Sequence, residues 1–83
     1  MKILYFAWVR ERIGMPEEEI ALPAEVSTPA DLLAFLSKRG PEYESAFERP
    51  EIIRVAVDQT HVDHDMPIGD AREIALFPPM TGG

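Results

Sequence analysis

Apolar residues fall along this chain in short blocks whose spacing changes twice. Residues 2–9, Lys-Ile-Leu-Tyr-Phe-Ala-Trp-Val, are apolar at every position after the first and rich in β-branched and aromatic side chains. Such a block predicts a strand with two apolar faces. Alternation puts Ile3, Tyr5, Ala7 and Val9 on one side and Leu4, Phe6 and Trp8 on the other. A small domain covers one face of such a strand from within, so the odd residues are assigned to the core. The face of Leu4, Phe6 and Trp8 becomes an exposed apolar patch, the usual mark of a binding surface.

Arg10–Gly14 reads as a polar turn or a single helical turn closed by Gly14. Residues 17–22, Glu-Glu-Glu-Ile-Ala-Leu, predict a second strand ended by Pro23, and the short connection suits an antiparallel hairpin. The period then changes. Thr28-Pro29-Ala30-Asp31 has the cap, proline and acid of a helix start, and Leu32, Leu33 and Leu36 form one stripe. That helix is expected to run to about Arg39, with Lys38 and Arg39 in its last turn, before Gly40-Pro41. Tyr43, Ala46 and Phe47 repeat the helical spacing in a shorter piece. Alternation returns at residues 52–57, followed by a turn at Asp58-Gln59-Thr60, a short return at His61-Val62, a loop over 66–71 and a last strand at 73–77. The order strand, strand, helix, strand, strand predicts an α+β domain, a sheet with one main helix packed across one face.

With 83 residues the chain makes one small domain with a thin core. It has no cysteine, which excludes disulfides, thiolate nucleophiles and cysteine zinc sites. No segment reads as a membrane span or signal peptide, so a cytoplasmic protein is expected. The formal net charge of −7 lacks the basic face that nucleic-acid binding needs and suits a partner with a basic docking surface. The run Glu17-Glu18-Glu19 is expected to be a solvated strand end.

Candidate chemistry is sparse. His61-Val62-Asp63-His64-Asp65 has metal-ligand residue types, but on a strand His61, Asp63 and Asp65 would face one way and His64 the other, so a solvated polar loop is expected and no metal site. Ser27, Ser37 and Ser45 sit in helix or cap contexts, and no nucleophile–base pair can be assembled. The distinctive group is the end of the chain, Pro78-Pro79-Met80-Thr81-Gly82-Gly83. The prolines end the preceding strand, and the glycines pass through a slot too narrow for any other residue. The expected division is a domain over residues 1–77 and an extended tail over 78–83, offering the carboxylate of Gly83.

Leu4-Tyr5-Phe6-Ala7 with Val9-Arg10-Glu11, then Val57-Asp58-Gln59-Thr60, then Ala75-Leu76-Phe77-Pro78-Pro79-Met80-Thr81-Gly82-Gly83 carry a family resemblance over nearly the whole chain. The chain resembles the small subunits of molybdopterin synthase, the MoaD type of ubiquitin-like, β-grasp sulfur carrier. The resemblance implies a mixed β-grasp sheet and no catalysis by the chain alone. It implies that an ATP-dependent adenylating enzyme activates Gly83, that a sulfurtransferase converts it to a thiocarboxylate, and that no cofactor is bound. The large synthase subunit, in an assembly of two small plus two large subunits, would then place sulfur on cyclic pyranopterin monophosphate. Phe6, Arg10 and Phe77 would lie at the partner interface, beside Leu4 and Trp8 from the apolar face. His61 stands at its edge where the family carries an apolar residue, and Ala71-Arg72 replaces a common Gly-Asp. The alternatives are a carrier for another pathway, such as thiazole or a thiolated product, a ubiquitin-like modifier conjugated through Gly83, and an interaction module in which Gly-Gly is incidental.

Overall fold

The computed structural model describes residues 1–79. Strand β1 covers Lys2–Tyr5, helix α1 Ala7–Ile13 and β2 Glu17–Glu19. Helices α2, Pro29–Ser37, and α3, Pro41–Ala46, come next, and then a 3-10 turn at Pro50–Ile52. Strands β3, Arg54–Val57, β4, Thr60–Val62, and β5, Glu73–Phe77, complete the fold. The sheet order is β2-β1-β5-β3-β4, with β1 and β5 parallel and the other neighbours antiparallel. The mixed sheet and main helix match the expected α+β architecture.

The first strand is half its expected length. It ends at Tyr5, because Ala7 takes a left-handed φ of 52° and starts α1. The Phe6 carbonyl accepts from the amides of Val9 and Arg10 at 3.1 and 3.3 Å. Val9 and Ile13, four apart, are the buried stripe of this helix, and Gly14 ends it at φ 93° with its amide on the Arg10 carbonyl at 2.8 Å. Ile3, Tyr5 and Val9 are core residues as expected, whereas Ala7 is exposed.

Three other boundaries move for simple reasons. Strand β2 stops at Glu19, where its partner β1 begins at Lys2, so nothing remains for Ala21 and Leu22 to pair with. Pro50 opens a helical turn, closed by the Ile53 amide on its carbonyl, and this removes Ile52 from β3. Helix α2 ends at Ser37, so Lys38 and Arg39 lie beyond its last turn. Its start is as expected. The Asp31 amide donates to Thr28 Oγ1 at 3.2 Å, and the Asp31 carboxylate accepts from the amides of Ser27 and Thr28 at 3.1 and 3.2 Å.

Val9, Ile13, Leu32, Leu33, Leu36, Tyr43 and Phe47 from the helices pack on Ile3, Tyr5, Val55, Ile74 and Leu76 from one face of the sheet. Glu18, expected in solvent, points to this side instead. Its carboxylate accepts from the phenols of Tyr5 and Tyr43 at 2.8 and 2.6 Å and from Arg39 at 3.2 Å. Burial pushes both phenols above the usual tyrosine range, and the bond to the Glu18 carboxylate raises them further.

Both the Glu18 contact and the Asp31 cap can be tested. Replacing Glu18 with Ala leaves two buried hydroxyls without an acceptor; the expected loss is about 3 kcal/mol, or more than about 10 °C in Tm, read by thermal denaturation. The Ser27 amide, foremost among several donors, holds the Asp31 carboxyl below its ordinary range. Its stabilisation is therefore complete above the ordinary carboxylate value of about 4 and lost as pH falls below it. Tm measured over this acid range should fall less steeply for Asp31→Ala than for the parent.

Candidate functional site

Strand alternation and register define a second sheet face, turned away from the core. On it lie Lys2 and Leu4 of β1, Glu73, Ala75 and Phe77 of β5, Arg54 and Ala56 of β3, and His61 of β4. Leu4 pairs with Ala75, Ala75 with Ala56, and Ala56 with His61, which makes one row across four strands. Arg54 pairs with Phe77 one position along. None of these residues belongs to the core cluster, although Ala56 is only 7% exposed. The three helices pack on the opposite side. The row of small side chains leaves a shallow, uncharged strip bordered by Leu4, Phe77 and His61.

Phe6 extends this face. Its amide donates to the Leu76 carbonyl at 3.2 Å, and its backbone stays extended, so alternation leaves its ring on the side of Leu4. At 45% exposure it is one of two large exposed apolar residues among those described. Phe77 is half-buried, and the His61 ring lies 5.2 Å from it, tilted by 58°. Arg10 is exposed on α1, the helix that starts next to Phe6.

Trp8 is placed elsewhere. Because residues 7–9 are helical, it does not continue the row of Leu4 and Phe6. It packs at the margin of the core beneath Arg12, whose guanidinium carbon is 4.4 Å from the ring centroid, and it shares a recess with Ala46, Arg49 and Ile52. Of the six interface candidates, Leu4, Phe6, His61 and Phe77 share one face, Arg10 stands on the adjoining helix, and Trp8 is on another side.

The sequence reading missed Arg54, Ala56 and Ala75. Arg54 had a signal, as a single cation interrupting the apolar run of residues 52–57. The segment after β4 is the polar loop expected, with Asp63 and Asp65 exposed, as is His61 within β4, and it departs from expectation at His64 alone. The chain turns after Asp63, whose carbonyl accepts the Met66 amide at 3.2 Å, so strand alternation stops there. His64 is half-buried, with Nε2 2.7 Å from the Ile53 carbonyl. Among the described residues no three His, Asp or Glu side chains converge.

The strand that leads to the tail is held at its start by the β3–β4 turn. Asp58 and Gln59 both take positive φ, 48° and 72°, as a two-residue hairpin turn requires. The Asp58 carboxylate accepts from the amides of Arg72 and Glu73 at 2.9 and 3.0 Å, and its own amide donates to the Glu73 carbonyl at 3.0 Å. After Phe77 the strand stops, and Pro78 and Pro79 are half-buried and outside any regular element. Met80, Thr81, Gly82 and Gly83 lie outside the described residues.

Known proteins resemble this arrangement end to end. The chain is 37% identical over 83 residues to the molybdopterin synthase sulfur carrier subunit of Escherichia coli, covering all of this chain and 99% of that protein. It is 38% identical over 84 residues to the protein of that name from Dictyostelium discoideum, covering 99% of this chain and 94% of the other. A solved structure from Pyrococcus furiosus, assigned as molybdopterin converting factor subunit 1, superposes with a TM-score of 0.73 at 31% identity over 94% of each chain. SAMP1 of Haloferax volcanii shares the fold, with a TM-score of 0.71 at 23% identity over 100% of this chain and 98% of its own. The architecture is thus the ubiquitin-like β-grasp, of the MoaD type. The ThiS family model matches residues 3–83, from the second residue of β1 through Gly83, and the chain belongs to that family.

Proposed function

We propose that this protein is the sulfur carrier of a molybdopterin synthase and that the carboxylate of Gly83 is the group that receives the sulfur. One observation carries the reading: similarity over the full length to proteins of that name, running through a central strand and two prolines into Gly82-Gly83. The chain is not a catalyst in this scheme. It is the sulfur-donor subunit of a sulfurtransferase assembled with a large subunit, two of each, in a cytoplasmic setting.

The chemistry stems from the weakness of a carboxylate as an acyl donor. On the adenylating enzyme a Gly83 oxygen attacks the α-phosphorus of ATP, pyrophosphate leaves, and an acyl adenylate forms. The outer sulfur of a persulfide held by a sulfurtransferase then attacks the carbonyl carbon and AMP leaves; a second thiol cleaves the resulting acyl disulfide, forming a disulfide with the donor and freeing the thiocarboxylate. In the large subunit that sulfur attacks a carbon of cyclic pyranopterin monophosphate, an oxygen of the substrate departs from that carbon, and water cleaves the resulting thioester, leaving the sulfur on the product and restoring the Gly83 carboxylate. ATP belongs to the partner enzyme, and the carrier supplies a reactive end on a short leash. Holding that end in a partner's site replaces a bimolecular encounter with an effectively intramolecular one. The sheet face of Leu4, Phe6, Ala75 and Phe77 seats the partner, and Pro78 and Pro79 aim the chain into its channel.

Intact mass tests the proposal. Incubated with the activating enzyme, ATP and a sulfur source, the protein should exchange one oxygen for one sulfur, and the change should map to Gly83. Deleting Gly83 should abolish transfer while leaving Tm unchanged, since the last strand ends at Phe77. An unmodified carboxylate under these conditions would sink the carrier reading, and isopeptide conjugates to lysines in their place would favour the modifier.

A further inference from the structure

The root of the tail is bordered by two nitrogen donors. Arg54 pairs across from Phe77 in the β3–β5 register, on the open face, and His61 stacks on Phe77 from β4. Both are exposed. Arg54 makes no ion pair among the described residues, and neither do Arg10, Arg12, Lys38 and Arg72; of these, Arg54 is the one set opposite Phe77 in the strand register. Arg54 and His61 also line an open recess of about 590 Å³ along the end of β4, with Ile53, Val62, His64 and Met66. The acids on that recess are Glu51, paired with Arg49 at 3.3 Å, and Asp63.

Chain length makes this position consequential. Residues 78–83 span at most about 20 Å when extended. An enzyme that brings Gly83 to a reaction centre must therefore bring its channel mouth against Phe77 and its neighbours. Arg54 then leaves bulk water in the productive complex. A guanidinium desolvated against an apolar wall is strongly unfavourable, and one facing a carboxylate is not. In a chain of net charge −7, an isolated cation at this point also fixes which way an acidic group on the partner must face.

We propose that Arg54, with His61 beside it, forms a donor rim around the tail root, and that this rim docks on a carboxylate at the mouth of the adenylating enzyme's channel. The inference rests on the carrier reading and adds the chemistry by which the partner is selected. Arg54 is a specificity residue and touches no reacting atom.

ATP–pyrophosphate exchange by the adenylating enzyme of the same organism is the test, with this protein as the varied substrate. The expected result for Arg54→Glu is a KM raised about tenfold with kcat and Tm unchanged, and recovery in Arg54→Lys. The parent's KM should rise between about 50 and 300 mM salt, and Arg54→Glu should flatten that dependence. Exchange with the parent but an unchanged KM for Arg54→Glu, or a loss confined to kcat, overturns the inference and leaves the carrier reading standing. No exchange with the parent itself overturns both.

Discussion

The fold depends on the parallel pairing of its first and last strands. β1 and β5 lie side by side in the middle of the sheet, and β5 is bonded on its other side to β3. The strand that leads to the tail is therefore internal, with ladders on both edges. It is held at the start by the Asp58 carboxylate on the amides of Arg72 and Glu73, and near its end by the Phe6 amide on the Leu76 carbonyl. An edge strand would leave one side of the tail root unpaired and free to shift. Here Leu76 is paired on both sides, with Tyr5 and with Val55, and Phe77 follows it opposite Arg54, so the chain leaves the sheet from one defined point.

That arrangement divides the sheet between two duties. One face is fully committed to the helices, and its margin is fixed by a polar contact: a single carboxylate, Glu18, ties β2 to β1 through Tyr5 and to α3 through Tyr43. Two phenols sharing one acceptor orient α3 more closely than apolar packing alone, because the alternative leaves a hydroxyl unsatisfied in the interior. With stability supplied on that side, the other face is released from it. Ala56 and Ala75 in its central row give little packing energy but leave a flat strip that a partner surface can approach.

Periodicity made the α2 core stripe and β5 legible in the sequence, and residue types marked the Thr28–Asp31 helix start; β1 and β2 pair antiparallel as expected, but α1 stands where a short hairpin turn was expected. What it could not supply was the point at which one period gives way to another. Residues 6–9 are apolar throughout, so alternation and helical spacing fit equally well. The turn at Ala7 decides between them, and a positive φ at alanine has no sequence signal. Alternation therefore places Trp8 on the face of Leu4 and Phe6, whereas it lies beneath Arg12. Glu18 was hidden for a related reason: three identical residues in a row give no alternation, so only the tyrosines opposite show which one turns inward. The shared face of Leu4 and Phe6, and the outward side of Phe77, were legible because these residues sit on or beside paired strands, where sequence order and face are linked; His61 was a candidate through the family resemblance alone. Arg54 is legible only as an anomaly, a single cation in the apolar run of residues 52–57.

The division between body and tail also constrains where recognition can reside. On the proposed route the end of the chain would enter an activating enzyme, meet a sulfur donor and then enter a synthase subunit, and it would have to suit every one of those channels. Glycine at its end meets that need by presenting the least side chain, and for the same reason carries little information about which protein it belongs to. Discrimination between one carrier and another must then come from surfaces that are rigid, close to the tail and free to vary without touching the reacting atoms. The open sheet face around Phe77 satisfies all three conditions. A polar pair there discriminates more sharply than an apolar one, since an unmatched apolar contact loses a little area while an unmatched buried charge is strongly disfavoured. Under the proposal made for Arg54 and His61, a cation and an imidazole at this root would make the carrier less general than its tail.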